Sequence, residues 1–84
     1  MKLKDVIISE ANGEYVAVNM GGSFNGMIKL NETAAFIAEA MQEDTTVEEI
    51  AKKLCAEYEI DEVTAVQSIE AVVEKLREIG FIEE

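Results

Sequence analysis

The chain is organised around an abrupt change from strand to helix within residues 27–37. Its first four residues, Met27–Leu30, are bulky and apolar apart from one lysine, a composition that favours a β-strand. Asn31 follows at once and is a good helix N-cap, because its side-chain oxygen can accept a hydrogen bond from a free backbone N–H. Residues before this junction therefore predict a sheet, and residues after it predict helices.

Two β-branched runs, 6–11 and 14–20, precede the junction and are separated by Asn12-Gly13. Asn-Gly between two such runs is a strong hairpin signal, because both central residues of the turn need positive φ. A second turn at Gly21-Gly22 or at Asn25-Gly26 then leads into a third strand, which begins at Ser23 or at Met27. We predict a three-stranded antiparallel meander whose third strand lies at an edge.

Three helices are predicted after the junction, over about 32–42, from Thr46 onward, and over about 62–79. Thr46 and Glu49 form a capping-box pattern, and Asp61 is the N-cap of the longest helix. Gly80 fits the left-handed position after that helix, so that Phe81 or Ile82 can fold back on its last turn. Strands followed by helices predict an α+β fold with a winged-helix-like arrangement, as a single domain over residues 1–84.

The residue types argue against an enzyme. The chain has no histidine and one cysteine, which excludes a serine triad, a cysteine–histidine pair, an internal disulfide and the usual structural zinc sites. Cys55 falls on an apolar helix stripe and is predicted to be a small core residue. Ser68 is preceded by Gln67 inside a predicted helix, which does not fit the attachment serine of an acyl carrier protein. We predict no catalytic residue, no metal and no cofactor.

Charge and hydropathy restrict the partners. The net charge is −11, from 18 acidic and 7 basic residues, which opposes binding to nucleic acid and favours solubility or a basic partner. No apolar run approaches the roughly 18 residues that span a bilayer, so we expect a cytoplasmic protein with no membrane partner.

The edge strand is the remaining functional feature. An edge strand exposes unpaired N–H and C=O groups that natural proteins usually protect. Lys29 could serve only as that protection, with the edge tolerated. Alternatively, a partner peptide could add to the sheet as a further strand, with main-chain bonds giving affinity and side-chain pockets giving selectivity.

The junction residues Met27-Ile28-Lys29-Leu30-Asn31-Glu32-Thr33-Ala34 resemble the hallmark of the PqqD family. The similarity continues through Thr46-Val47-Glu48-Glu49-Ile50, a Tyr58-Glu59-Ile60-Asp61 link and the closing Gly80-Phe81-Ile82. One departure is Ala38, at a position where many members carry tryptophan.

The resemblance implies a recognition domain for the leader segment of ribosomally made, post-translationally modified peptides. Such domains bind the leader as an added strand in the cleft beside the last helix and deliver it to a modifying enzyme, often a radical S-adenosylmethionine (radical SAM) enzyme. Carried over by position, the expected peptide-binding residues are Met27, Ile28, Lys29, Leu30, Val66, Ile69, Glu70, Val73 and Arg77.

Two alternatives stay open. The edge strand could pair with its own copy and make a homodimer without a peptide role. A winged helix could also bind DNA, although an acidic last helix would repel phosphate. For the peptide role, we predict that Ile28→Pro abolishes binding and leaves the helices folded, provided that the N–H of Ile28 points away from the sheet.

Overall fold

The computed structural model describes residues 1–20 and 26–83 and confirms the α+β prediction. A short strand begins the chain, a three-stranded sheet follows, and three helices lead to a second short strand. The elements are β1 (Lys2–Leu3), β2 (Val6–Ala11), β3 (Glu14–Asn19), β4 (Met27–Leu30), α1 (Glu32–Ala40), α2 (Val47–Glu57), α3 (Glu62–Glu78) and β5 (Ile82–Glu83).

The predicted meander is present as an antiparallel sheet in the order β2-β3-β4. Asn12 and Gly13 have φ of 55° and 81°, the left-handed values that a two-residue type I′ hairpin turn requires. In the next pair, Ala17 lies opposite Ile28 and Tyr15 opposite Leu30. The third strand begins at Met27, and the predicted turns within 21–25 lie outside the described residues.

All three predicted helix N-caps are confirmed. Asn31 Oδ1 accepts from the N–H of Ala34 at 2.7 Å, and Thr46 Oγ1 accepts from Glu49 at 3.2 Å. An Asp61 carboxylate oxygen accepts from the N–H of Thr64 at 3.3 Å. Only the Thr46 half of the capping box forms, since no bond of the described residues returns from the Glu49 side chain.

Residues 76–81 end α3 as predicted. Gly80 has φ of +79°, its N–H donates to the carbonyl of Arg77 at 3.1 Å, and the N–H of Phe81 donates to the carbonyl of Leu76 at 2.9 Å. These two bonds are those of a Schellman motif. They turn the Phe81 side chain into the core, where none of it is exposed.

A pairing between the two chain ends was not predicted. β1 and β5 form a two-stranded antiparallel sheet, with Leu3 opposite Ile82. The N–H of Leu3 also donates to the carbonyl of Met41, and the N–H of Lys4 to that of Phe81, both at 2.8 Å. The C-terminal tail is therefore bonded to the N-terminal segment, not to the edge of β4.

The core lies between the helices and one face of the three-stranded sheet. Register places Val6, Ile8, Ala17 and Ile28 on this helix-facing side, and Ile7, Val18 and Met27 on the opposite side. The largest fully buried side chains are Phe81, Ile37, Met41, Ile50, Leu54, Ile69 and Leu76. Cys55 packs half-buried against this core, as predicted for a small core residue. No helix in the described ranges is long and apolar enough to cross a membrane.

Candidate functional site

Two hydrogen bonds of β3 show which N–H and C=O groups of β4 point toward β3 and which point away from the sheet. The N–H of Asn19 donates to the carbonyl of Gly26 at 3.0 Å, on the β4 side, and the N–H of Met20 donates to the carbonyl of Asp5 at 2.7 Å, on the β2 side. Bonded and non-bonded pairs alternate along an antiparallel ladder. Ile28 therefore directs its N–H and C=O toward β3, whereas Met27 and Lys29 direct theirs away from the sheet.

These outward groups are open in the described part of the chain. No residue within 1–20 or 26–83 donates to or accepts from the outer main-chain groups of Met27 or Lys29. An open row of this kind is a template for an additional strand. The tail, which could have covered it, pairs with β1 instead.

A groove of about 230 Å³ runs between this edge and α3. Much of its lining is apolar. The small side chains of Ala34 on α1 and Ala71 on α3 leave room between β4 and α3. The positive charge of the groove comes from Lys75 of α3, since the Lys29 side chain points to the opposite face of the sheet. The lining residues are Ile28, Lys29, Leu30, Asn31, Ala34, Ala71, Val72, Lys75 and Leu76.

The strand half of the predicted site borders this groove, but the helix half does not. Ile28, Lys29 and Leu30 line the groove, and Met27 contributes the first open main-chain groups of the same edge. On α3, Ile69 and Val73 lie in the core with 0% and 5% exposure, so they offer a peptide almost no surface to contact.

The other three predicted helix residues lie on a different side of α3. Each residue turns a helix by about 100°, which places Val66, Glu70 and Arg77 roughly 120–160° away from Val72. Val66 lines a separate hollow with Val63. The groove wall is instead formed by Ala71, Val72, Lys75 and Leu76.

The apolar periodicity of α3 could not reveal this wall. It identifies the core stripe, to which Ile69, Val73 and Leu76 belong. Ala71 and Lys75 lie beside the stripe, and neither a small residue nor a lysine on a helix surface signals a binding wall. Ala71 and Lys75 are four residues apart and so lie next to each other on one face of α3. This face can be identified as the groove wall only once β4 is known to lie beside it.

The charge of the groove is opposite in sign to that of the chain. No carboxylate lines it, and its one charged side chain on the helix-facing side is that of Lys75, because Lys29 alternates with Ile28 and lies on the same face as Met27. Lys29 Nζ lies 3.9 Å from the Glu14 carboxylate, with both side chains largely exposed, so this pair holds the lysine only weakly. Lys75 forms no ion pair with any residue that the structure describes.

The family model described as "Coenzyme PQQ synthesis protein D (PqqD)" matches residues 6–82, which is most of the chain. The chain belongs to the PqqD family. A search of the curated proteins found no match. The family match includes β4, α1 and α3, the three elements that form the groove.

Two solved structures resemble this PqqD-family chain over 99% of its length. One is described as "TbiB1 in Complex with the TbiA(beta) Leader Peptide"; it is 22% identical, is covered completely and has a TM-score of 0.77. The other is described as "Lasso peptide synthetase B1 complexed with the leader peptide"; it is 25% identical, is covered over 96% and has a TM-score of 0.78. Both confirm the fold, and both of those proteins were solved with a leader peptide.

Metal ligands do not gather at the groove or elsewhere in the described ranges. Within residues 1–20 and 26–83 there is no group of three histidine, cysteine, aspartate or glutamate side chains that could hold an ion. What the groove provides is main-chain hydrogen-bonding groups, apolar surface and the ammonium group of Lys75, which together suit binding of an extended peptide.

Proposed function

We propose that this PqqD-family chain is a non-catalytic adaptor that binds the leader segment of a ribosomally made precursor peptide. The leader adds to β4 as a further strand beside α3 and is presented to a modifying enzyme. The observation that carries the proposal is the open row of main-chain groups at Met27 and Lys29 directly beside the apolar groove. Family membership and the two leader-peptide complexes of similar fold support it.

Strand addition at β4 uses the two kinds of contact that the edge offers. Main-chain groups of Met27 and Lys29 bond the leader backbone independently of its sequence. Because successive side chains of a strand point to opposite faces, every second leader side chain points to the helix-facing side. There it meets Ile28, Leu30 and Val72, so we expect an aliphatic or aromatic leader residue in the groove.

Lys75 favours an acidic leader segment. The whole-chain charge alone suggests leaders with basic residues, but charges further apart than the Debye length of about 8 Å are largely screened at physiological salt. Lys75 borders the groove itself, with no carboxylate among its lining residues. We therefore expect a leader carboxylate next to Lys75.

The recipient of the leader is a modifying enzyme of the same pathway. The resemblance to PqqD implies a radical SAM enzyme in that role. A complex of this chain with such an enzyme should gain affinity when the leader is bound, and co-migration in size-exclusion chromatography with and without leader measures this.

Homodimer formation through the same edge is a second candidate. Met27 is an exposed edge residue with 67% of its surface accessible, and an exposed apolar edge favours pairing with a copy. A dimer formed this way uses the main-chain groups that the leader needs. Leader addition should therefore convert a dimer to a monomeric complex, which light scattering detects.

The decisive experiment measures leader binding to Lys29→Pro. Proline removes the outward N–H at position 29 but none of the bonds between β3 and β4, and proline is tolerated at such edge positions. The probes are synthetic N-terminal segments of the short open reading frames beside the gene, titrated by calorimetry. Loss of a main-chain bond at a partly buried interface costs about 1–3 kcal/mol, so affinity should fall about 5- to 150-fold.

Two matched controls separate the causes. Lys29→Ala keeps the N–H and removes only the ammonium group, and it should lose much less affinity than Lys29→Pro. Ile8→Pro removes an outward N–H at the opposite edge of the sheet and should bind leader normally. If folded Lys29→Pro binds the leader as tightly as Lys29→Ala does, strand addition at β4 is wrong.

A further inference from the structure

The sheet has a second free edge, at β2, and it borders a pocket of its own. The same hydrogen-bond alternation turns the main-chain groups of Val6, Ile8 and Glu10 away from β3. The carbonyl of Val6 already accepts from Gln42 Nε2 at 3.1 Å. The outward groups of Ile8 and Glu10 have no partner among the residues that the structure describes.

The pocket beside this edge has a volume of about 340 Å³ and lies between β2, β3, α1 and the end of α2. Its walls carry three aromatic rings, Tyr15, Phe36 and Tyr58. Phe36 and Tyr58 meet edge to face, with centroids 5.5 Å apart and an interplanar angle of 83°. This packing fixes both rings and makes the pocket a formed feature of the fold.

The charge of the pocket is uniformly negative. Glu10, Glu32 and Glu39 line it, no lysine or arginine does, and none of the three forms an ion pair with a described residue. Burial raises the pKa of the Tyr58 hydroxyl, and the negative charge of Glu32 raises it further. The raised pKa reflects the negative charge of Glu32, which would attract a bound cation.

We propose that this β2–α1 pocket is a second docking site, which binds an arginine or lysine side chain carried on an extended segment of a partner protein. The segment bonds to the open main-chain groups of Ile8 and Glu10. Its cationic side chain enters between the rings and the carboxylates. Aromatic faces attract a cation within about 6 Å, and carboxylates supply charge-assisted hydrogen bonds.

The occupant is basic because the lining residues include no positive group and three carboxylates that form no ion pair with a described residue. It is a different segment from the proposed leader, whose groove is bordered by Lys75 and has no carboxylate among its lining residues. The two sites lie at opposite edges of one sheet, so both can be filled at once. The inference stands on its own observations and does not depend on the leader-binding proposal.

The two tyrosines provide a direct assay. The chain has no tryptophan and only two tyrosines, Tyr15 and Tyr58, and both line this pocket. Tyrosine emission therefore reports on the pocket without labelling. The probe is a blocked pentapeptide with a central arginine between valines and threonines, and the matched peptide carries neutral citrulline in place of arginine.

The arginine peptide should change tyrosine emission saturably, and the citrulline peptide should bind about tenfold more weakly, because it keeps the shape but loses the charge. Glu32→Gln should weaken arginine-peptide binding by a similar factor. Glu48→Gln, which alters an exposed carboxylate of α2 that does not line the pocket, should leave it unchanged.

Amide NMR spectra of the same samples locate the bound peptide. Shifts clustered at Ile8, Glu10 and Tyr58 support the site, and a spectrum of unchanged dispersion shows that each variant is folded. Equal binding of the two peptides, an unaffected Glu32→Gln variant, or the absence of saturable change in emission and shifts would overturn the proposal.

Discussion

The two edges of the three-stranded sheet differ in what surrounds the same main-chain pattern. At β4, the open groups of Met27 and Lys29 lie beside an apolar groove that the Lys75 side chain borders. At β2, the open groups of Ile8 and Glu10 face an aromatic pocket with three glutamates. Backbone geometry alone would let the edges bind the same strand, so the flanking helices must determine which segment binds at each edge.

This difference arises from the helix that each edge meets. α3 presents Ala71 and Lys75 to β4, and α1 presents Glu32 and Glu39 to β2. Under the two proposals, the opposite local charges at the two edges select extended segments of opposite sign. Each segment would meet a charge of its own sign at the other segment's edge, and this repulsion would disfavour binding there.

The largest effect should separate two neighbouring positions of β4. Ile28→Pro removes an N–H that bonds to β3, and we expect it to lower the free energy of unfolding by about 1–3 kcal/mol, since it leaves a ladder partner unpaired. Lys29→Pro should cost much less, because its N–H points outward. Chemical denaturation of both variants measures the difference.

This pair revises the proline test that the sequence suggested. The Ile28→Pro test required that the N–H of Ile28 point away from the sheet. The hydrogen bond from the Asn19 N–H to the Gly26 carbonyl, with the alternation along the ladder, shows that it points toward β3. Equal stability of the two proline variants would show that the hydrogen-bond alternation at β4 is assigned the wrong way round. The main-chain groups of Met27 and Lys29 would then not be the open ones, and the comparison of the two edges would not hold.

Local signals explain why much of the fold was predictable. Asn12-Gly13, the caps at Asn31 and Asp61, and Gly80 each act through bonds to residues only a few positions away. Sequence patterns encode such bonds directly. The strand that leads into α1 was found for the same reason, because its composition and the cap are adjacent in the chain.

The missed features all depend on distant residues. β1 and β5 are two residues each, too short for periodicity, and they pair across nearly the whole chain. The groove wall depends on how α3 is rotated when Ile69 and Val73 enter the core. The direction of the Ile28 N–H depends on the register of β3 with β4. None of these can be read from a single segment.

A charge reversal should give the next largest effect. Lys75→Glu replaces the cation of α3 that borders the groove, and we expect about tenfold weaker binding of an acidic leader, with folding unchanged because the side chain is exposed. Calorimetry at low and high salt measures this, and the loss should shrink as salt rises.

Lys52→Glu is the matched control, since it makes the same charge change on an exposed position of α2 outside the groove. Lys75→Glu should also leave arginine-peptide binding at the β2–α1 pocket unchanged. If Lys52→Glu weakens the leader as much as Lys75→Glu does, overall charge and not the groove determines leader selectivity.

The smallest effect concerns how the two flanking helices respond to acid. Hydrogen bonds from the Thr64 side chain and backbone lower the pKa of the Asp61 carboxyl below its ordinary value of 3.8, whereas the α1 cap, Asn31, does not titrate. A carboxyl whose pKa is lower in the folded state stabilises it above the ordinary value and loses that effect as pH falls through the folded value. Acid should therefore weaken the start of α3 before that of α1.

Asp61→Asn tests this, because asparagine is also a good N-cap but carries no charge. Near neutral pH its free energy of unfolding should stay close to the parent value, and part of the acid-dependent loss should disappear. Hydrogen exchange measured on either side of pH 3.8 should show Thr64 losing protection in the parent chain and not in the variant. If the parent chain and Asp61→Asn are equally sensitive to acid, the group that titrates is not Asp61. The acid response would then not distinguish α3 from α1.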